Sequence, residues 1–342
     1  AAGTNYNFGE SPTAASGGLL EGKAAQIVSW ERSTKFNIGM DTRWFEGKLT
    51  LNAEYFRENR TNILKTPSRT NIISGVTSFS PQNLMEVKNQ GVEVEVGWDH
   101  KIKDFGYRIK ANIAYNEIIE QNEQIRKYPY MNRTGGSIGQ QFSLIADGFY
   151  NTYAEIAAGP TQYGTLQPGD VRFRDINGDG VINDRDKAPI GYSSLLPRIN
   201  YGFSLSANWK GFDVSIMLQG VGQYSKTYSG AGIYESSGNF YKMHMERWSE
   251  ERYNNHEKIT YPRLSSSGGP SLQPNDFFIM DASYIRLKNA EVGYTLPESI
   301  SKKIGASNVR FYLSGNNLYT WTHLKTDSFD PEQNSPAAYP TM

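Results

Sequence analysis

Eight segments of this chain alternate apolar and polar residues, and the connections between them alternate short, long, short, long. Strict alternation marks a strand with two unlike faces. One-sided connection lengths constrain the fold further, because all long loops must then leave from one end of the sheet. The segments run from about Ser29 to Phe45, then through Leu49, Leu51, Ala53 and Tyr55. Val92, Val94, Val96 and Trp98 follow, then Tyr107 to Tyr115. The second half repeats the scheme with Ile199 to Trp209, Phe212 to Leu218, Ala290 to Leu296, and Val309 to about Trp321. The short turns are Glu46-Gly47, Lys101 to Gly106, Lys210-Gly211 and Pro297 to Asn308. The latter is expected to hold one helical turn. The longest irregular regions are Arg57 to Lys88, Glu120 to Arg198, and Gln219 to Ser283. Within the second, Ser137 to Tyr150 is strand-like and is expected to form a hairpin that extends the wall.

Trp44, Trp98 and Trp209 stand beside three of the four short turns, with Phe45, Phe105 and Phe212 close by. A soluble sandwich explains alternation equally well. It does not explain an aromatic girdle at one end and long loops at the other. Those two features together define a transmembrane antiparallel β-barrel, all-β, with short periplasmic turns and long extracellular loops.

Bulk composition agrees. No run of about 18 apolar residues is present, which removes a transmembrane helix. Mean hydropathy is negative, as a barrel allows, because only every second strand residue faces lipid. The net charge is zero over 342 residues, so no basic excess calls for a nucleic-acid partner. Cysteine is absent, which excludes disulfides, zinc–thiolate sites and thiol nucleophiles.

The segment Gly169-Asp170-Val171-Arg172-Phe173-Arg174-Asp175-Ile176-Asn177-Gly178-Asp179-Gly180-Val181-Ile182 resembles the SusC/RagA family of TonB-dependent outer-membrane transporters. So do Trp30-Glu31 before Phe36-Asn37-Ile38-Gly39, Tyr201-Gly202-Phe203 with Lys210-Gly211-Phe212-Asp213, Leu218-Gln219-Gly220, Tyr284 to Asn289, and Gly315-Asn316-Asn317-Leu318. The resemblance implies that residues 1–342 are the carboxy-terminal part of a barrel of about 22 strands. The plug domain and the last strand are expected to lie outside this chain. Open edges in a bilayer cost several kcal/mol per unpaired group, so the piece is expected to need the rest of the barrel. The resemblance further implies active import of oligosaccharides, or peptides, across the bacterial outer membrane. It implies a SusD-like surface lipoprotein as lid and TonB as the energy source. A passive porin or adhesin barrel and a secreted calcium-binding β-protein are the alternatives.

One constellation has metal-ligand spacing, inside the long region 119–197. Asp175, Asn177, Asp179, the carbonyl of Val181, and Asp186 occupy positions 1, 3, 5, 7 and 12 of an EF-hand-like loop, 175–186. Gly180 takes the position that needs a residue without Cβ, and Ile182 the apolar anchor. Alternating oxygen ligands suit Ca²⁺, here in a structural role. Position 12 is Asp rather than Glu, which shortens its reach, and no helices flank the loop.

Catalytic patterns are absent: no HExxH, no G-x-S-x-G elbow and no phosphate-cradling glycine loop. The chain is therefore not expected to be an enzyme. His244 and Glu246 beside Trp248 read as a solvated loop face, and Glu93 and Glu95 as lumen lining. Arg43, Glu54, Glu93, Glu95, Arg108, Lys110, Asp213, Glu291 and Arg310 form an inner face of mixed sign, suited to holding a plug. Tyr128, Tyr130, Tyr150, Tyr153, Tyr163 and Tyr234 would either stack on sugar rings or contact a protein lid, or else pack the loops together. Which residues touch substrate is not legible.

Overall fold

A computed structural model describes residues 28–66, 80–120, 127–228, 240–265, 269–326 and 329–333, with two short paired segments near the amino terminus. In chain order the strands are β1 Arg32–Trp44, β2 Leu49–Lys65, β3 Gln82–Ile102, β4 Phe105–Glu120, β5 Gln140–Ser143 and β6 Ala146–Phe149. After helix α1 (Tyr153–Ala158) come β7 Val171–Phe173, β8 Ala188–Ser193, β9 Ile199–Trp209, β10 Phe212–Gly222 and β11 Ser225–Thr227. Helix α2 (Glu250–Asn254), β12 Ile279–Asp281, β13 Tyr284–Thr295, helix α3 (Glu298–Ser301) and β14 Arg310–Thr322 complete the set.

Eight strands form one sheet in the order β14-β13-β10-β9-β4-β3-β2-β1. Neighbours in the sheet are therefore neighbours along the chain, as in an up-and-down barrel wall. The ladders β4–β9, β9–β10, β10–β13 and β13–β14 are antiparallel. No helix among the described residues is long and apolar enough to cross a membrane, which leaves strand crossing open.

Register explains the two faces. Phe105, Trp209, Phe212, Tyr294 and Phe311 align across five strands, and one step along Tyr107, Ala207, Val214, Val292 and Leu313 do the same. The alternate rows carry Arg108, Ser206, Ser215, Glu291 and Ser314. A slip of one residue would exchange the faces entirely. The apolar rows are exposed: Phe36, Ile38, Met40, Ile113, Phe203, Val214, Val292, Phe311 (63%) and Leu313 (75%). Water does not tolerate a contiguous apolar patch of that extent on a monomer, so this face is built for lipid.

The short turns are tight. Lys210 and Gly211 both take positive φ, 46° and 92°, the type I′ geometry that matches strand twist. A Cβ on Gly211 would lie 2.7 Å from the Thr295 carbonyl oxygen, so the close approach of β13 also requires glycine. At this end the Phe45 and Trp98 rings lie 6.1 Å apart and Phe212 and Tyr294 4.5 Å apart. Trp98 Nε1 donates to the Tyr107 hydroxyl at 3.1 Å.

Several expectations need adjustment. Strands β2 and β3 run to Lys65 and from Gln82, far into the stretch read as a polar connection. Polar residues on both faces hide a strand once it leaves the apolar band. Trp98 sits inside β3 rather than at its end. Ser137 to Tyr150 does not fold on itself as a hairpin. Instead β5 pairs with β8, and β6 with β7.

The buried core lies in the long connections. One cluster gathers Tyr228, Tyr261, Phe278, Met280 and Phe329. Another gathers Leu144, Val171, Phe173 and Ile182. The chain divides into two compact units: Ala1–Asn37, Phe56–Gln90 and Glu117–Ser137 in the first, Ile38–Tyr55, Gly91–Asn116 and Ile138–Met342 in the second. In the first, Ser33 and Arg60 both donate to Glu58, Arg60 also pairs with Glu31, and Lys65 pairs with Glu120. All sites below lie in the second unless stated.

Candidate functional site

The loop 175–186 is a run of side chains capping their own backbone. The Asp175 carboxylate accepts from the amides of Gly178 at 2.8 Å and Gly180 at 2.7 Å. Asn177 Oδ1 accepts from Asp179 N at 2.9 Å, and Asp179 Oδ1 from Val181 N at 3.0 Å. Gly178 and Gly180 have φ of 72° and 79°, which lets the chain curl around these oxygens. The amide of Gly180, then that of Gly178, holds the Asp175 carboxyl below the usual carboxylate range. Ile182 is buried against Leu144, Val171 and Phe173, and its amide donates to the Thr161 carbonyl at 2.8 Å. The loop is thus anchored at its eighth position.

Asp186 sits differently from the other four positions. It is fully buried, at 0% exposure. Its oxygens accept from Ile176 N at 3.0 Å, Asn177 N at 3.4 Å and Asn183 N at 2.9 Å. It closes the loop as a cap for a single 3₁₀ turn, Asp184–Asp186. An ionised carboxylate offers about four lone-pair sites. Within the loop Asp175 and Asp179 each accept at least two hydrogen bonds, Arg185 Nη1 lies 3.9 Å from Asp179 Oδ2, and Asp186 accepts three. The Val181 carbonyl accepts from Asn183 Nδ2 at 2.9 Å. Among the described residues no three His, Cys, Asp or Glu side chains are placed to hold a metal by themselves. A cation here would draw on Asn177 and the Val181 carbonyl as well.

The polar face of the sheet carries ion pairs near the short turns. Arg310 bridges Asp213 (Nε to Oδ1, 3.1 Å) and Glu291 (2.6 Å), and Arg108 pairs with Asp99. Arg43, Glu54, Glu93, Glu95 and Lys110 lie on the same face by parity. Asp99 joins these charges, because β3 runs past it to Ile102.

The loop aromatics divide. Tyr150 is fully buried, so it packs the connections and cannot meet a ligand. Tyr153 is exposed, and Tyr163 lines a polar cavity of about 530 Å³ with Gln167, Arg263 and Gln273. In the first unit Tyr128 and Tyr130 stack at 5.5 Å. Tyr234 lies outside the described residues. His244 is not on a solvated face: it is buried against Tyr241 and Tyr261, with Nδ1 accepting from Tyr241 N at 2.9 Å. Glu246 beside it is half-buried and pairs with Lys258.

Sequence reasoning missed two buried cations. Arg286, 1% exposed, bonds Asp330 at 2.7 Å, Glu332 at 2.9 Å and Thr320 at 2.7 Å. Lys226 donates to the Pro331 carbonyl at 2.7 Å and to that of Gln333. Both hold the segment 329–333 from residues far away in sequence, and no local pattern signals that.

An antiparallel meander with an exposed apolar face, a charged opposite face and one-sided connections is the wall of a membrane barrel. The family model for the TonB dependent receptor-like β-barrel matches residues 2–318, and the chain belongs to that family. TonB-dependent receptor P3 of Formosa agariphila is 28% identical over 334 residues, covering 93% of this chain and 32% of that protein. TonB-dependent receptor SusC of Bacteroides thetaiotaomicron is 25% identical, covering 78% of this chain and 26% of that protein. The RagAB peptide importer in its open-open state superposes with a TM-score of 0.65 at 24% identity, over 98% of this chain and 36% of that one. The resemblance to SusC and RagA therefore holds. The chain spans about a third of the length of the relatives it matches.

Proposed function

We propose that this chain forms the carboxy-terminal wall of a TonB-dependent importer in the bacterial outer membrane. Its cargo is an oligosaccharide or a peptide, and a SusD-like surface lipoprotein closes over the long loops. The observation that carries this is the exposed apolar face in register across the sheet, together with membership of the family. RagAB, described as a peptide importer, among the structural neighbours supports the peptide class, and the resemblance to the SusC/RagA family the oligosaccharide class. On this reading region 119–197 is extracellular, and the charged inner face around Arg310 and Arg108 faces the plug of the whole transporter. No enzymatic step is assigned.

We assign Ca²⁺ to the loop 175–186, with Asp175, Asn177, Asp179, the Val181 carbonyl and Asp186 as its oxygen donors. The alternate spacing of the oxygens and the two positive-φ glycines support it. The ion would fix the shape of an outer loop.

The experiment uses the native bacterium. The full transporter is extracted from outer membranes in detergent, its companions are identified by mass spectrometry, and uptake of fluorescent oligosaccharides and peptides is followed with and without TonB. Co-purification of a surface lipoprotein and TonB-dependent uptake support the proposal. Recovery in the soluble fraction, or uptake indifferent to TonB, refutes it.

A further inference from the structure

A second cavity, about 800 Å³, opens between β5, β11 and the segment leading to β12. Its size falls within the range of small-ligand sites. Tyr224, Tyr228, Leu272 and Phe278 supply apolar walls, and Gln141 and Ser194 supply polar groups. Among the described residues lining it, Lys226 is the one charged side chain. It is 7% exposed.

Among the described residues no carboxylate pairs directly with Lys226. An ammonium has three donors, and two of them meet the neutral carbonyls of Pro331 and Gln333. The third is left for another acceptor. The carboxylates nearest to it electrostatically, Asp330 and Glu332, are both bonded to Arg286, and Glu332 also meets Lys288 at 3.3 Å. Those five groups sum to one positive charge, and the surplus falls at the cavity wall. Asp281, across the β11–β12 ladder, is exposed and turned to the Ser283 amide. Burial pulls the Lys226 pKa down, while Asp330 and Glu332 pull it up. A cation set in apolar walls attracts an anion far more strongly than one in water.

We infer that this cavity binds the carboxylate of an incoming ligand, with Lys226 as its charge partner. The inference rests on the import reading and narrows it to acidic cargo. Two sources offer that group: a uronic-acid unit of an oligosaccharide, or the terminal carboxylate of a peptide. The Tyr224 ring, 5.5 Å from the Lys226 ammonium, supplies a flat surface beside the charge for either.

The test is titration calorimetry on the full transporter in detergent, with four probes: a galacturonic-acid trisaccharide, the corresponding neutral galactose trisaccharide, trialanine, and trialanine amide. A charge-assisted hydrogen bond predicts about ten- to a hundredfold tighter binding of one acidic probe over its neutral counterpart. Preference within the sugar pair identifies a uronate, and within the peptide pair a peptide terminus. Lys226→Met removes that preference and leaves the neutral probe unchanged. Because this variant also frees two carbonyls, Leu195→Trp is measured beside it. Leu195 lines the cavity, is exposed and is distant from the segment 329–333 in sequence, and a tryptophan there blocks entry of the acidic probe. Equal binding of charged and neutral probes, or a preference that survives both variants, overturns the site. TonB-dependent uptake of a neutral probe alone overturns the acidic-cargo inference and leaves the import reading standing.

Discussion

Ile216 tests which solvent the apolar face meets. It aligns with Leu205 and Ala290 on that face, while its neighbour Ser215 aligns with Ser206 and Glu291 on the other. Ile216 lies four residues beyond Phe212 in an 11-residue strand. At about 3.3 Å per residue that is about 13 Å along the strand, or about 10 Å along the membrane normal at a tilt near 40°. With Phe212 in the girdle of an apolar band about 25 Å tall, Ile216 falls within about 3 Å of the midplane. Arginine there costs about 2–4 kcal/mol, roughly a 30- to 900-fold loss in the folding constant. Ser215→Arg reaches the polar side beside Glu291 and is expected within about 0.5 kcal/mol of the parent. The assay is equilibrium urea unfolding of the full transporter in lipid vesicles, followed by tryptophan fluorescence. If the apolar face met water, both variants would lie within about 0.5 kcal/mol of the parent. Equal stability of the two variants, or a greater loss for Ser215→Arg, refutes the lipid-facing assignment.

Further outcomes follow from the loops. Arg286→Met leaves the half-buried Asp330 and Glu332 without their shared cation and the Thr320 hydroxyl without its donor, and should cost at least about 1–3 kcal/mol in the same unfolding assay. Asp175→Ala should make 175–186 more sensitive to protease at low calcium. Equal cleavage of the parent with and without chelator would remove the ion from the loop. The Asp175 carboxyl has a depressed pKa in the fold, so its contribution is complete above the ordinary aspartate value of about 3.9. That contribution is lost as pH falls through the depressed value. Proteolysis of the loop should thus be flat from neutral pH to about 4 and rise only in stronger acid.

The alternation of Val92, Val94 and Val96, and of Phe203, Leu205 and Ala207, made the sheet legible, because a lipid face and a wet face demand unlike residues at every step. The extension of β2 through Arg57 to Lys65 was illegible for the converse reason: both faces there meet polar surroundings. The loop 175–186 showed its oxygen spacing but not the inward turn of Asp186, which depends on three amides converging on it. Arg286 was visible only as part of a family segment. Its partners lie 44 and 46 residues away, and the Lys226 contact with Pro331 spans 105. Pairings of that separation leave no periodic trace.

The order of the sheet has a consequence for assembly. Each inner strand of the wall pairs with the wall strands before and after it along the chain, so each hairpin can add to a growing edge as soon as it is made. Across the short turns the partner strand follows at once, while across the long connections from Glu120 to Ile199 and from Gly222 to Tyr284 the closure cost grows only slowly with loop length. The aqueous clusters around Phe278 and Phe173 follow a different schedule. The cluster around Phe173 lies within the single connection between β4 and β9, whereas that around Phe278 takes Phe329 from beyond β14 and so consolidates only once that strand is in place. An insertion machine that handles one hairpin at a time would thus deliver the wall first and leave the outer loops to find their shape in water.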